Sequence, residues 1–231
     1  MSAEVTSDNY PMGRMTPQRS FLRHIPVLLA LLAIGGIYAL VSEQLALGPR
    51  GLIPGLIIVL VLLLLAAVRS GRLHLGRAVG LVILGVVTAA EAASTSVLVA
   101  GLLASTQRMN EMPHAVALVL LRDAALIWVA NILTFSLWYW ELDGGGPGRR
   151  HCAAYQSADL LFPNASLEQS ARVPWLPHYA DYLFLAFNTS TAFSPTDTLV
   201  LSVRAKLLMM TQALISLAVL AIIAARAINT L

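Results

Sequence analysis

Five stretches of the chain, residues 25–41, 52–68, 78–104, 115–140 and 205–228, are built from Leu, Ile, Val and Ala with almost no charge. A helix needs about 20 residues to cross the roughly 30 Å hydrocarbon core of a bilayer. Inside that core every backbone amide must find its partner within the protein, which leaves only helices and closed barrels. The runs are continuous rather than alternating, so a barrel does not fit them. The expected fold is therefore all-α: a polytopic protein of the cell (inner or plasma) membrane, with about five transmembrane helices and the lipid bilayer as its partner. Only 12% of the residues are charged, against about a quarter in a soluble domain.

The net charge of +3 comes mostly from arginines placed beside or between the apolar runs. That placement marks membrane orientation rather than a nucleic-acid surface. The single cysteine, Cys152, excludes an intrachain disulfide and a thiolate metal cluster. The five histidines show no metal-ligand spacing, and no zinc motif, nucleophile elbow or phosphate-binding glycine loop is present. No enzyme, cofactor or metal site is expected. Residues 1–20 read as a mobile polar tail, residues 21–112 as a three-helix membrane region, and residues 113–231 as a second unit. The first apolar run is longer than a typical signal-peptide core and is taken as a retained span.

Several residues break the apolar pattern. Gly51 and Gly55 make a small-xxx-small pair at the start of the second run, a weak helix-packing signal. Gly144, Gly145, Gly146 and Pro147 must end the fourth run, and Trp138, Tyr139 and Trp140 suit a membrane interface. Glu91 lies in the middle of the third run with Ser94, Thr95 and Ser96 nearby, while Arg122, Asp123 and Asn131 lie in the fourth. A charge at such depth faces protein or water, is protonated, or is paired. If the third and fourth runs form a hairpin, Arg122 reaches towards Glu91. The trio Glu91, Arg122 and Asp123 then reads either as an ion or proton relay or as a buried pair that fixes helix register.

Residues 179–226 have a different character. A short aromatic and apolar run, DYLFLAF, leads into Asn188, Thr189, Ser190 and Thr191, consecutive polar side chains, and then to Asp197 and the final apolar run. The short run cannot cross a bilayer. It fits a re-entrant helix and loop sheltered by neighbouring protein, or an interfacial helix with a surface loop.

In order and spacing this region resembles the pore module of the potassium channel superfamily, the two-helix, pore-loop ion channels. WYWELDGGGP corresponds to the end of the outer helix and DYLFLAF to the pore helix. Thr191, Ala192, Phe193, Ser194, Pro195, Thr196 and Asp197 stand where the filter residues would stand. Gln212 falls at a family Glu position, Ser216 at the glycine hinge and Ala225-Arg226 at an Ala-Arg ending. The resemblance implies a homo-oligomer, a tetramer if channel-like, that passes monovalent cations. Both filter glycines are replaced, by Ser194 and Thr196, and Pro195 replaces the Tyr. Such a filter is not expected to be strictly potassium-selective. The alternatives are a non-conducting scaffold or accessory subunit, and a small proton-linked transporter using Glu91, Arg122 and Asp123.

Arg14, Arg19 and Arg23, with Arg69, Arg72 and Arg77, fall on one side of a five-span topology, and Arg50 and Arg108 on the other. The positive-inside rule puts the N-terminus and the loop around residues 179–198 in the cytoplasm. The channel resemblance puts that loop outside, so the two assignments conflict.

Overall fold

A computed structural model of the chain describes residues 17–42, 51–70, 73–105, 114–146, 159–167, 175–191 and 197–230. Most of the expected N-terminal tail, residues 1–16, lies outside the described residues, as does Cys152. The elements in chain order are α1 (Pro17–Leu40), α2 (Leu52–Arg69), α3 (Leu73–Ser105) and α4 (His114–Leu142). A 3-10 turn (Asp143–Gly145), β1 (Leu160–Leu161) and α5 (Pro163–Leu167) follow, then α6 (Tyr179–Thr191), β2 (Leu199–Val200) and α7 (Val203–Thr230). The fold is all-α apart from the two-residue strands. By length and composition, three helical segments among the described residues can cross a membrane: Arg77–Gly101, Leu118–Gly145 and Val203–Ala225. The apolar segments of α1 and α2, Ile25–Leu40 and Leu52–Leu63, are shorter, so three helices rather than five meet that requirement.

The central helix is α4, which packs against α1, α3, α6 and α7, while α2 packs against α1 and α3. At one end of the bundle, Val41 after α1, Leu98 of α3, Ala124 and Ile127 of α4, and Val219 and Ile222 of α7 form one buried cluster. At the other end, Arg77 near the start of α3 donates to the Glu141 carbonyl near the end of α4 at 3.1 Å. Helix α4 therefore runs antiparallel to α1, α3 and α7. The outer face of α2, including Leu62, Leu63 and Leu65, is exposed and apolar, as suits a helix against lipid. Among the described residues the Gly51 and Gly55 pair makes no close helix contact, since a Cβ at either would meet none of their atoms within 4 Å.

The boundaries of the helices follow from local chemistry. Gly144, Gly145 and Gly146 have φ of 58°, 80° and 92°, a region where only glycine is comfortable, and α4 stops there. A Cβ on Gly146 would lie 3.0 Å from Arg77 Nε and 3.2 Å from the Glu141 carbonyl oxygen. Helix α6 opens with half of a capping box, as Asp181 reaches back to accept the His178 backbone N–H at 2.7 Å. Ser202 caps α7 by accepting the Ala205 N–H at 3.2 Å.

Two aspartates clasp this end of the bundle. Asp143 accepts the Asp159 and Leu160 backbone N–H groups at 2.9 and 3.1 Å on one oxygen, and the Tyr182 hydroxyl at 2.6 Å on the other. Asp159 accepts Arg204 through two guanidinium nitrogens, each at 2.7 Å, and the Gly144 N–H at 3.1 Å. Beside it, Leu160 pairs with Val200 and Leu161 with Leu199 in an antiparallel register. The clasp thus ties the end of α4, the start of α6 and the start of α7 together.

Burial pushes the Asp159 carboxyl up, but hydrogen bonds from Arg204 and Ser202, the Arg204 charge and the Gly144 N–H together outweigh it. The carboxyl is held below its ordinary value. The stabilisation is therefore complete above the unfolded carboxylate range and is lost as pH falls through the lowered value. Arg204→Ala leaves a buried carboxylate short of two hydrogen bonds. It should cost about 1–3 kcal/mol at neutral pH and flatten the loss of stability on the acid side. Melting temperatures in detergent, measured against pH for both proteins, check this.

Candidate functional site

Helix α6 has 13 residues, so it is about 20 Å long and cannot cross a core of roughly 30 Å. It enters at the clasp, where Tyr182 bonds Asp143 and Tyr179 shares a 2.6 Å hydrogen bond with Ser136 of α4. The aromatic residues near the end of α4 build its socket. Trp140 sits edge-on to Tyr179 and Tyr182, at centroid distances of 6.0 and 5.5 Å, and Phe162 sits edge-on to Tyr182 at 5.2 Å. Tyr139 and Trp140 are buried and so serve packing rather than a membrane-interface belt. Trp138 donates its indole N–H to Thr88 of α3 at 2.9 Å.

Two turns further on, α6 meets a polar cluster in the interior. Ser190 is 1% exposed, and Gln212, Ser216 and Asn131 are equally buried. The Gln212 amide nitrogen donates to the Ala186 carbonyl and to Ser190 Oγ, both at 2.8 Å, and its oxygen accepts the Tyr139 hydroxyl. Ser216 Oγ lies 2.9 Å from Asn131 Oδ1 and 2.9 Å from Ser190 Oγ. A serine hydroxyl has one proton, so Ser216 donates to one of these at a time, and Ser190 Oγ, 3.4 Å from Asn131 Oδ1, can fill the other role. Asn131 of α4, Ser190 of α6 and Gln212 and Ser216 of α7 thus close a network deep in the bundle. Gln212 lies about 12 Å along α7 from Arg204 at the clasp. After α6 the chain is next described at Asp197, and β2 lies back at the clasp beside β1.

Asn188, Thr189, Ser190 and Thr191, read from sequence as a polar loop, form the last turn of α6 instead. Thr189 Oγ1 donates to the Leu185 carbonyl at 2.8 Å and Thr191 Oγ1 to the Asn188 carbonyl at 3.1 Å. Short hydroxyls can bond back to their own helix in this way, which is why a run of them did not end it. Asn188, Thr189 and Thr191 are half-buried, and Asp197 is exposed. Ala192, Phe193, Ser194, Pro195 and Thr196 lie outside the described residues. Of the sequence candidates, the structure brings together Ser190, Gln212 and Ser216. Tyr139 and the socket carboxylate Asp143 were not anticipated as partners. A tyrosine and a glutamine on separate apolar helices carry no local signal that they meet.

The trio of intramembrane charges separates. Arg122 bonds its neighbour Asp123 at 2.9 Å and the Leu40 carbonyl at 3.2 Å, and Asp123 accepts the Ser42 N–H at 3.1 Å. These two side chains cap the end of α1, whose last carbonyls have no helical partner. Glu91 instead accepts the Thr134 hydroxyl at 2.6 Å, about 17 Å along α4 from Arg122 and Asp123. On the outer surface, Trp128, Ile132 and Leu133 of α4 and Leu183, Phe184 and Phe187 of α6 line an apolar groove.

Gln212→Leu removes three hydrogen bonds. Interhelical bonds in membranes average about 0.6 kcal/mol each, so the loss of stability should be about 2 kcal/mol. Thr189→Val, on a hydroxyl bonded to its own helix, should be close to neutral. Thermal melts in detergent compare the two, and equal losses would contradict the network.

Comparison with known protein families, with curated proteins and with solved structures found no match to the chain.

Proposed function

We propose that the chain is an integral membrane protein in which α1, α2, α3, α4 and α7 cross the cell membrane, and α6 with the residues after it forms a re-entrant module of the pore-loop kind. The three long apolar helices support membrane insertion. The packing of α1 against α4 and of α2 against α1 and α3, and the exposed Leu29, Leu32, Leu62 and Leu63, support the two shorter ones. The observation that carries the re-entrant reading is the depth of α6. It starts at the clasp, ends where Ser190 meets Gln212 and Ser216, and is followed by a strand back at the clasp. The last turn of a helix presents the negative end of its dipole, which favours a cation just beyond Thr191.

In this reading several copies, four by analogy with channels, bring Thr191 and Asp197 to a common axis. Monovalent cations pass without strict potassium selectivity, because Ser194, Pro195 and Thr196 replace the residues that set up carbonyl rings. The clasp end carries Arg77, and the positive-inside rule then opens α6 to the cytoplasm, opposite to a potassium channel. One observation favours a second reading, a non-conducting membrane subunit: Ser190, Gln212 and Ser216 form their hydrogen bonds inside a single chain.

Purified protein in liposomes should pass monovalent cations, and Thr191→Trp should reduce the flux at least tenfold without lowering the melting temperature. Single cysteines placed at 194 and 196 should react with aqueous thiol reagents from the same membrane side as a cysteine at 77. Absence of flux from a monomeric particle would favour the second reading. Reaction of the cysteines from the opposite side would remove the re-entrant module.

A further inference from the structure

Glu91 has no exposed surface, and it lies in the middle of α3 among the apolar residues Val87, Ala90 and Leu98. One carboxylate oxygen accepts the Thr134 hydroxyl at 2.6 Å. The other, Oε2, has no hydrogen-bond partner among the described residues. Among the other buried oxygens that share that condition are the Tyr38 hydroxyl of α1 and the Thr95 hydroxyl of α3. Tyr38 is 2% exposed and close enough to Glu91 to feel its charge. Thr95 follows Glu91 by four residues, so both lie on one face of α3. Oε2, the Tyr38 hydroxyl and the Thr95 hydroxyl are thus three buried oxygens without a hydrogen-bond partner among the described residues, one of them a carboxylate's.

A bare carboxylate in such a place is costly, and groups of this kind neutralise or pair. Cationic partners are distant. Arg122 is held by Asp123 and the Leu40 carbonyl. Arg77 lies about 21 Å along α3 from Glu91, where it meets Glu141. On α7, Arg204 is bound to Asp159 at the clasp, and Lys206 is exposed near the same end. The remaining titratable group of α4 at this depth, Tyr139, is bonded to Gln212. The described side chains of α2 are uncharged.

We propose that Glu91 is an intramembrane proton-binding site, carrying its proton on Oε2, with the Tyr38 and Thr95 hydroxyls as the groups through which that proton exchanges. When the proton leaves Oε2 to water as hydronium, the carboxylate keeps the Thr134 hydrogen bond on Oε1. The return step reverses this. A groove between α3 and α7, lined by Ala92, Thr95, Val99, Leu214, Ile215 and Ala218, reaches Thr95 from the outer surface and is the route for exchange. The site is independent of the re-entrant reading, because none of its groups belongs to α6.

The test is labelling of the intact protein in liposomes with dicyclohexylcarbodiimide, which adds to protonated carboxyls in apolar surroundings. The expected result is an adduct at Glu91 whose rate of formation falls about tenfold per pH unit once the carboxyl ionises and is unchanged by sodium. The infrared spectrum should contain a protonated-carboxyl band that shifts in D2O and is missing in Glu91→Gln. Thr95→Val should slow the shift in D2O severalfold while leaving the fold intact. Absence of an adduct at every pH overturns the proposal, as does a carboxyl band that ignores D2O. Protection by sodium also overturns it, in favour of a metal cation on the same oxygens. If Glu91→Gln does not fold, labelling of the unsubstituted protein decides the matter alone.

Discussion

A helix that stops inside an apolar bundle leaves backbone carbonyls and polar side chains with no water to receive them, and the module formed by α4, α6 and α7 is arranged around that need. Gln212 meets it most directly. From α7 it reaches a carbonyl in the penultimate turn of α6, the Ser190 hydroxyl and the Tyr139 hydroxyl of α4, so three helices share one amide. Hydrogen bonds of this kind are individually modest in membranes because the separated helices find other partners. Their combined value here is positional. They set the depth and rotation of α6, and apolar contacts alone would leave both free to slide.

Electrostatics is handled in separate places by different means. At the clasp, Asp159 is neutralised by a two-pronged arginine and Asp143 by backbone N–H groups and a phenol. At the far end, Arg122 and Asp123 neutralise each other while capping α1. In the middle, Glu91 has one hydroxyl and, among the described residues, no cation beside it. Each pair at the ends has a structural task that accounts for its burial. Glu91 has none of that kind, since Thr134 would be equally satisfied by a carbonyl of its own helix.

Much of the architecture was legible in the amino-acid order. Helix positions followed from apolar runs and glycine punctuation, and the start of a short helix near Tyr179 followed from the aromatic run after a proline-rich connection. The meeting of Ser190, Gln212 and Ser216 was not legible, for nothing local says that a serine on one helix faces a glutamine 22 residues later. Two further readings failed for physical reasons. Thr189 and Thr191 looked like loop residues, but their hydroxyls bond back to the helix that carries them. Arg122 looked like a partner for Glu91, but an adjacent carboxylate and the frayed end of α1 lay closer. The pairing of β1 with β2 left no trace in the sequence, because two-residue strands are too short for alternation to register.

The clasp also has a mechanical consequence. Asp143 and Asp159 hold the tail of α4, the mouth of α6 and the head of α7 through shared acceptors, and the Leu201 amide adds a bond to the Asp159 carbonyl. A push on α7 along its axis is therefore transmitted to α6 at once, like force through a rigid yoke.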